Sequence, residues 1–184
     1  MRDWSKIRVY LYALDPQSVL DGVVAVGKVE ADELPGDVAD RVLALFDHPD
    51  AQVRAEAVRA LGVHWRLRRA LNPIAEIVNR DDDASVQLYA IGALGIIGYE
   101  HPDLRCFASK ALAGIVLNGK FGDYQRMVAY VELLRVEGRI DFKEYMRRDR
   151  DIPARLEVFE IDRPWVEELA NQDCSRASGS GERQ

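Results

Sequence analysis

The chain has 184 residues, of which 48% are hydrophobic and 30% are charged, a balance typical of a globular protein rather than a disordered one. Its 25 basic and 31 acidic side chains give a net charge of −6, which disfavours a protein that binds polyanions over its whole surface. The sequence shows no signal peptide and no apolar run long enough to cross a bilayer, so we expect neither standard secretion nor a membrane span.

The apolar residues near the N-terminus predict a helix over residues 4–14 that ends before Pro16, because four of them recur at helical spacing. These are Trp4, Ile7, Leu11 and Leu14. A strand is the alternative, since Val9 and Tyr10 favour β structure. The same spacing predicts further helices at 17–28, 36–47, 51–63, 66–79, 84–97, 103–117 and 122–136. Pro73 lies within the fourth of these, where we expect either a kink or a helix that starts near Asn72.

Beyond the last of these helices the pattern changes. Apolar residues indicate one more short helix around 142–146, whereas residues 154–161 fit either a strand or an extended segment. A short helix begins near Asp162, and its Trp165 is expected to cover apolar surface of the last repeat. The polar composition of residues 172–184 predicts a flexible tail.

The two cysteines are too few for a disulfide framework, which favours a reducing compartment such as the cytoplasm. Cys106 lies on a predicted helix and is expected to be a buried, inert thiol. Cys174 falls in the predicted tail, where we expect an exposed thiol.

An internal repeat is the strongest signal in the chain. Residues 50–62 read DAQVRAEAVRALG and residues 83–95 read DASVQLYAIGALG, at an offset of 33. A weaker copy lies at residues 15–27, at an offset of 35 from the first. Asp50 and Asp83 precede their helices, where a carboxylate caps free N–H groups. This period suits two helices and two turns, repeated as a solenoid.

These residues resemble HEAT repeats, most closely the short bacterial type named after phycobilisome lyases. The match is strong over 47–97, moderate over 11–46 and 98–135, and absent beyond about residue 140. The family's ladder of Asp and Arg between successive repeats is represented by Arg54 and Arg105, whereas Gln87 departs from the pattern.

The resemblance implies an all-α fold, an α-α superhelix of about four helix pairs with capping helices. One domain is expected over residues 1–171, followed by the tail over 172–184. Within it we expect an N-terminal cap helix over 1–14, repeats over 15–136 and a C-terminal cap segment over 137–171.

No motif indicates catalysis. The histidines His48, His64 and His101 lack the spacing of metal ligands on a helix. The glycines of residues 92–98 fall within a predicted amphipathic helix, so close packing explains them better than phosphate binding. We therefore expect no metal, no cofactor and no enzymatic activity.

Charge is unevenly distributed along the chain. Residues 1–50 hold 5 basic and 10 acidic side chains, whereas residues 51–80 hold 6 basic and 2 acidic ones. If 66–79 is the second helix of its repeat, its face and those of its neighbours line the predicted concave groove. The groove candidates are Asp37, Asp40, Arg41, Arg66, Arg69, Asn72, Glu76, Arg105 and Ser109. Such a surface suits another protein of mixed charge.

The sequence thus favours a non-catalytic, cytoplasmic, bacterial protein that binds another protein, as an inhibitor, immunity-type protein, adaptor or assembly chaperone. Nucleic-acid binding is one alternative, since HEAT-like alkylpurine DNA glycosylases use such a groove, but the acidic first 50 residues oppose it. A bilin-lyase-like enzyme or chaperone is the other; a tetrapyrrole needs an aromatic-lined groove, and Tyr89 and Tyr99 are scattered.

Overall fold

The computed structural model describes residues 3–151 and 160–175, with the side chains of 149–151 left aside. This part of the chain forms ten α-helices and no strand, which confirms the all-α prediction. The helices are α1 Trp4–Leu11, α2 Pro16–Gly27, α3 Gly36–Ala44, α4 Ala51–Val58, α5 Leu71–Arg80, α6 Ala84–Glu100, α7 Arg105–Leu117, α8 Asp123–Val136, α9 Phe142–Asp151 and α10 Arg163–Asn171.

Aspartates begin several of these helices, as the repeat pattern predicts. Asp50 accepts a hydrogen bond from the amide of Gln52, and Asp83 accepts one from the amide of Ser85, each at 2.8 Å. Each carboxylate satisfies an amide that has no partner within its helix. Pro73 occupies the first turn of α5, where its missing N–H costs nothing, so the helix starts beside Asn72 as expected.

Helix packing divides the chain into two compact units, and each has its own core. The first unit extends to Ala93; in it α2 packs against α1 and α4, and α3 lies against the same two helices. The second begins at Leu94; in it α7 packs against α8 and α10, and α9 packs against α8. Fully buried leucines and isoleucines fill the cores, including Leu11, Leu61, Ile74, Leu112 and Leu133. One domain over 1–171 stays a prediction.

The N-terminal helix is correctly predicted as a helix, but it is shorter than expected. It ends at Leu11, and Leu14 is fully exposed rather than buried. The backbone turns before Asp15, whose carboxylate accepts a hydrogen bond from Ser18 at the start of α2. Helical spacing therefore holds for Trp4, Ile7 and Leu11, of which Ile7 and Leu11 are buried, but not for Leu14.

The predicted helix over 51–63 is a regular α-helix only as far as Val58, and the predicted helix over 66–79 begins five residues late, at Leu71. After α4 the chain continues as a π-helical turn over Arg59–His64, and Arg66 adopts a left-handed φ of 48°. The Trp65 indole anchors this turn, because its Nε1–H donates to the Val26 carbonyl at 2.9 Å. Its ring also packs on Trp4, with centroids 6.2 Å apart. Arg66 therefore lies on a loop and not on a helix face.

The prediction of two unpaired thiols is also wrong. Cys106 and Cys174 form a disulfide bond across a sequence separation of 68 residues, and Cys174 is buried. The bond depends on α10 folding back onto α7, which local sequence patterns do not reveal. Stable disulfides are typical of oxidising compartments, so the cysteines no longer support a reducing one.

The structure describes only the first four residues of the predicted flexible tail, 172–184. Residues 172–175 are fixed to the second unit by the disulfide, so they are not a flexible tail. Residues 176–184 lie outside the described residues, as does most of the segment 154–161. Among the described helices, none combines the length and apolar character that crossing a bilayer requires.

Candidate protein-binding surface

Two exposed ion pairs of the first unit join α1 to α3 and α3 to the 3-10 turn that precedes α5. Arg8 of α1 donates two hydrogen bonds to Asp37 of α3, at 2.6 and 2.8 Å. Asp40 of α3 accepts a hydrogen bond from Arg69, which precedes α5, at 2.5 Å. We use the name α1–α3–α5 face for these four ion-paired residues, Arg8, Asp37, Asp40 and Arg69, together with the exposed predicted candidates Asn72 and Glu76 of α5.

The pairs on this face are exposed, so they contribute little to stability. The side chains of Asp40 and Arg69 are 64% and 48% exposed, and solvent screens such pairs strongly. The hydrogen bonds from Arg8 lower the pKa of Asp37 below its usual value, so this carboxylate stays charged at neutral pH. The main effect of the two ion pairs is to hold charged groups in fixed positions at the surface.

The other predicted binding residues on helices of the first unit differ in how far their side chains are exposed to solvent. Asn72 and Glu76 lie on the exposed side of α5, one turn apart. Arg41 is partly buried; its Nε–H donates to the Leu11 carbonyl at 2.9 Å, and its guanidinium lies 4.9 Å from the Tyr12 ring centroid. It fixes the end of α1 and offers little to a partner.

The predicted stripe of Arg66, Arg69, Asn72 and Glu76 on one helix does not exist as such. Only Asn72 and Glu76 lie on α5, whereas Arg69 belongs to the 3-10 turn Arg68–Ala70 and Arg66 to the loop before it. Arg66 is exposed on that loop. The structure therefore brings Arg69 beside Asp40, but it removes Arg66 from the predicted helical face.

The two candidates in the second unit are Arg105 and Ser109. Arg105 is the first residue of α7 and is exposed. Ser109 is fully buried, and its hydroxyl donates to the Glu137 carboxylate at 2.5 Å. The prediction that Ser109 meets a partner is therefore wrong, because it lies on the side of α7 that faces the core.

A more buried ion pair carries the ladder that the resemblance implies. Arg54 of α4 donates to both carboxylate oxygens of Asp81, at 2.7 and 2.8 Å. Its other terminal nitrogen donates to the carbonyls of His48 and Pro49. The side chains of Arg54 and Asp81 are only 14% and 4% exposed, so the pair serves structure rather than recognition.

The ionisation of Asp81 reflects two opposing effects. Burial raises its pKa, but the hydrogen bonds from Arg54 and from the Asp83 amide, with the charges of Arg54 and Arg80, outweigh this effect. The pKa of Asp81 therefore lies below its usual value.

Gln87 occupies the position in the next repeat that corresponds to Arg54. Its side-chain amide donates to the Asp81 carbonyl at 2.7 Å, six residues before it. Arg54 donates to the His48 carbonyl, also six residues before it. Gln87 thus reproduces the contact that closes the turn without the positive charge that a ladder ion pair requires.

A buried carboxylate of the second unit was not predicted from the sequence. Glu132 of α8 is 4% exposed and accepts hydrogen bonds from Arg135 and from the Tyr145 hydroxyl, the latter at 2.8 Å. The Arg135 guanidinium lies between the rings of Tyr99 and Tyr145, 5.4 and 4.5 Å from their centroids. A Glu and an Arg three residues apart on an apolar helix were the available signal. Gly95 leaves the space that the Glu132 side chain occupies.

Within residues 3–151 and 160–175, no group of three or more His, Cys, Asp or Glu side chains is placed to hold a metal ion. The geometry described above consists of helix pairs, a buried Arg–Asp ladder pair and exposed charges in fixed positions. These features define an α-helical repeat protein of the solenoid class.

The comparison with protein families identifies the repeat. Residues 38–107 match the family model described as HEAT repeats. The predicted HEAT resemblance is confirmed by this match. No curated protein matches the chain. HEAT repeats generally act as scaffolds for protein interactions.

Proposed function

We propose that this protein is a non-catalytic binding module of the short bacterial HEAT type, whose α1–α3–α5 face contacts another protein. The observation that carries the proposal is the row of exposed charges that the ion pairs Arg8–Asp37 and Asp40–Arg69 hold in place. A surface that is ordered before binding loses less entropy when a partner docks. An inhibitor, an immunity-type protein or an adaptor in the cytoplasm fits this description, acting as one domain over residues 1–171.

The alternation of charge on this face favours a protein partner over a nucleic acid. Asp37 and Asp40 stand beside the arginines with which they pair, and both carboxylates are exposed. Phosphate backbones require an excess of cations, and these carboxylates would repel them. Glu76 adds a further negative charge on α5. A protein surface with matching patches of both signs satisfies the same groups.

The experiment is an affinity capture from native lysate with nuclease added, using the wild-type chain and charge variants. Arg69→Glu is expected to abolish capture of the partner, because it places two carboxylates where the partner meets a cation. The exchanged variant Asp40→Arg with Arg69→Glu keeps an ion pair but reverses its direction. It is expected to fail as well, since the partner reads the order of the charges.

The matched control is Lys143→Glu, a charge reversal on exposed residues of α9 in the second unit, which should leave capture unchanged. All variants should keep the wild-type circular dichroism. Recovery of binding in the exchanged variant would show that the pair only orders the helices and would overturn the proposal. Loss of the captured material on nuclease treatment would favour the nucleic-acid alternative.

A further inference from the structure

Helix α10 covers apolar surface in the second unit. It packs against α7, its Val166 and Leu169 are buried, and the Trp165 ring packs edge-on against Tyr130 of α8, with centroids 6.2 Å apart. A helix of nine residues is too short to be stable alone in water. The stability of α10 therefore depends on its packing against the rest of the second unit and on the bonds that attach it there.

Polar contacts hold the start of α10. The Asp162 amide donates to the Tyr130 hydroxyl at 3.1 Å, and the Asp162 carboxylate accepts from Arg139 at 3.0 Å. The Arg139 guanidinium also lies 3.8 Å from the Trp165 ring centroid. These groups are partly exposed, so they orient the helix more than they stabilise it.

A covalent bond holds the end of α10. The disulfide joins Cys174 to Cys106 on α7, and the Gln172 side-chain amide donates to the Cys106 carbonyl at 3.1 Å. Lys110 of α7 donates to the Gln172 carbonyl at the same distance. Since the chain has only two cysteines, this bond has no alternative pairing. Cys106 is partly exposed, which gives a small thiol access to the bond.

We propose that α10 is a redox-controlled plug over a helix-binding surface formed by α7 and α8. A dithiol reductant, or two molecules of a monothiol such as glutathione, supplies two electrons and two protons. The Cys106–Cys174 bond breaks, both cysteines become thiols, and the reductant leaves as a disulfide.

The occupant that replaces α10 is a short amphipathic helix of a partner protein, with the chemistry that α10 itself displays. It carries an aromatic residue at the position of Trp165 and aliphatic residues one and four positions later, as Val166 and Leu169 stand here. An acidic residue before the helix pairs with Arg139, as Asp162 does. This surface lies in the second unit, and the inference does not depend on the α1–α3–α5 face.

The test uses a fluorescent peptide of residues 160–175 with Cys174→Ser, added to the full-length chain. The oxidised chain should not bind it, whereas the reduced chain and the Cys106→Ser, Cys174→Ser variant should. Amide hydrogen exchange in α10 should rise about thirty-fold or more on reduction, the low end of what a disulfide typically contributes. A peptide with Trp165→Ala and Leu169→Ala is the matched control and should not bind.

Reversible reduction of the wild-type chain tests the proposal even if the Cys106→Ser, Cys174→Ser variant folds poorly. Unchanged exchange in α10 on reduction would overturn the plug. Faster exchange without peptide binding would overturn the helix-binding surface. Equal binding to the oxidised and reduced chains would overturn the redox control.

Discussion

Removing either partner of the Arg54–Asp81 ion pair is the perturbation that the first unit should tolerate least. Both side chains are largely buried, and Arg54 donates four hydrogen bonds, two of them to Asp81. Breaking a buried pair by removing one partner typically costs about 3–5 kcal/mol, because the other charge remains buried. Arg54 keeps 14% of its side chain exposed, so we expect the lower end of this range, about 3 kcal/mol.

The assays are urea unfolding and thermal unfolding of Arg54→Met, Asp81→Asn and the double variant. Tryptophan fluorescence in a Trp165→Phe background follows the first unit, because the other two tryptophans, Trp4 and Trp65, pack together there. A loss of about 3 kcal/mol corresponds to a fall in Tm of about 6–12 °C for a chain of this size. The double variant should lose clearly less than the sum of the single variants, since both remove the same interaction.

The control is Arg8→Met, which removes an arginine from an exposed pair of the same type with Asp37. Its Tm should equal that of the wild type within experimental error, because exposed pairs contribute little. If Arg54→Met and Asp81→Asn each cost less than about 1 kcal/mol, the buried pair is worth no more than a surface pair. Burial would then be the wrong basis for ranking the ion pairs of this protein.

Three further outcomes are expected. The pKa of Asp81 is lowered in the folded chain, so its contribution to the free energy of unfolding is complete above the unfolded pKa of about 4 and is lost as the pH falls below that value. The unfolding free energies of the wild type and of Asp81→Asn should therefore converge in acid. Gly62→Ala should destabilise the chain by about 1–3 kcal/mol, since its Cβ would lie 2.4 Å from a neighbouring Cβ, whereas Gly92→Ala has free space and should stabilise by about 0.5–1 kcal/mol. Tyr145→Phe should cost about 1.5 kcal/mol by removing a hydrogen bond to the Glu132 carboxylate, and equal unfolding midpoints would contradict this.

The helical repeat was predictable because each copy contains its own capping aspartate and its own apolar residues at helical spacing. Asp50 caps α4 and Asp83 caps α6, and the apolar residues that follow at helical spacing are buried, as Val53 and Val86 show. These signals act within a few residues of each other, so a single sequence is enough to read them. The start of α5 beside Pro73 followed from proline geometry for the same reason.

Three of the failures depend on contacts distant in sequence. The Trp65 indole binds a carbonyl 39 residues away and turns the chain before Arg66, so the expected helix over 66–79 begins five residues late. Cys174 meets Cys106 only because α10 returns to α7. The side of α7 that carries Ser109 is covered by Glu137, 28 residues later. A pattern of neighbouring residues does not reveal contacts across such long sequence separations.

The candidate surface was predicted in part. Asp40 and Arg69 were expected to lie alongside each other, and the structure pairs them. The sequence did not show that Asp37 would pair with Arg8, because α1 was expected only to cap the repeats. Arg41 was expected at the surface, but it binds the backbone at Leu11 instead. Charge patterns locate a polar surface, whereas the partner of each charge depends on how the helices pack.

The contact made by Gln87 has a consequence for how such a protein can diverge. The amide closes its own turn by binding the Asp81 carbonyl, as Arg54 closes the preceding turn at His48. A mutation from arginine to glutamine at this position thus removes a charge without opening the loop. Successive repeats can therefore differ in charge at this partly buried position while the backbone of the turn stays closed.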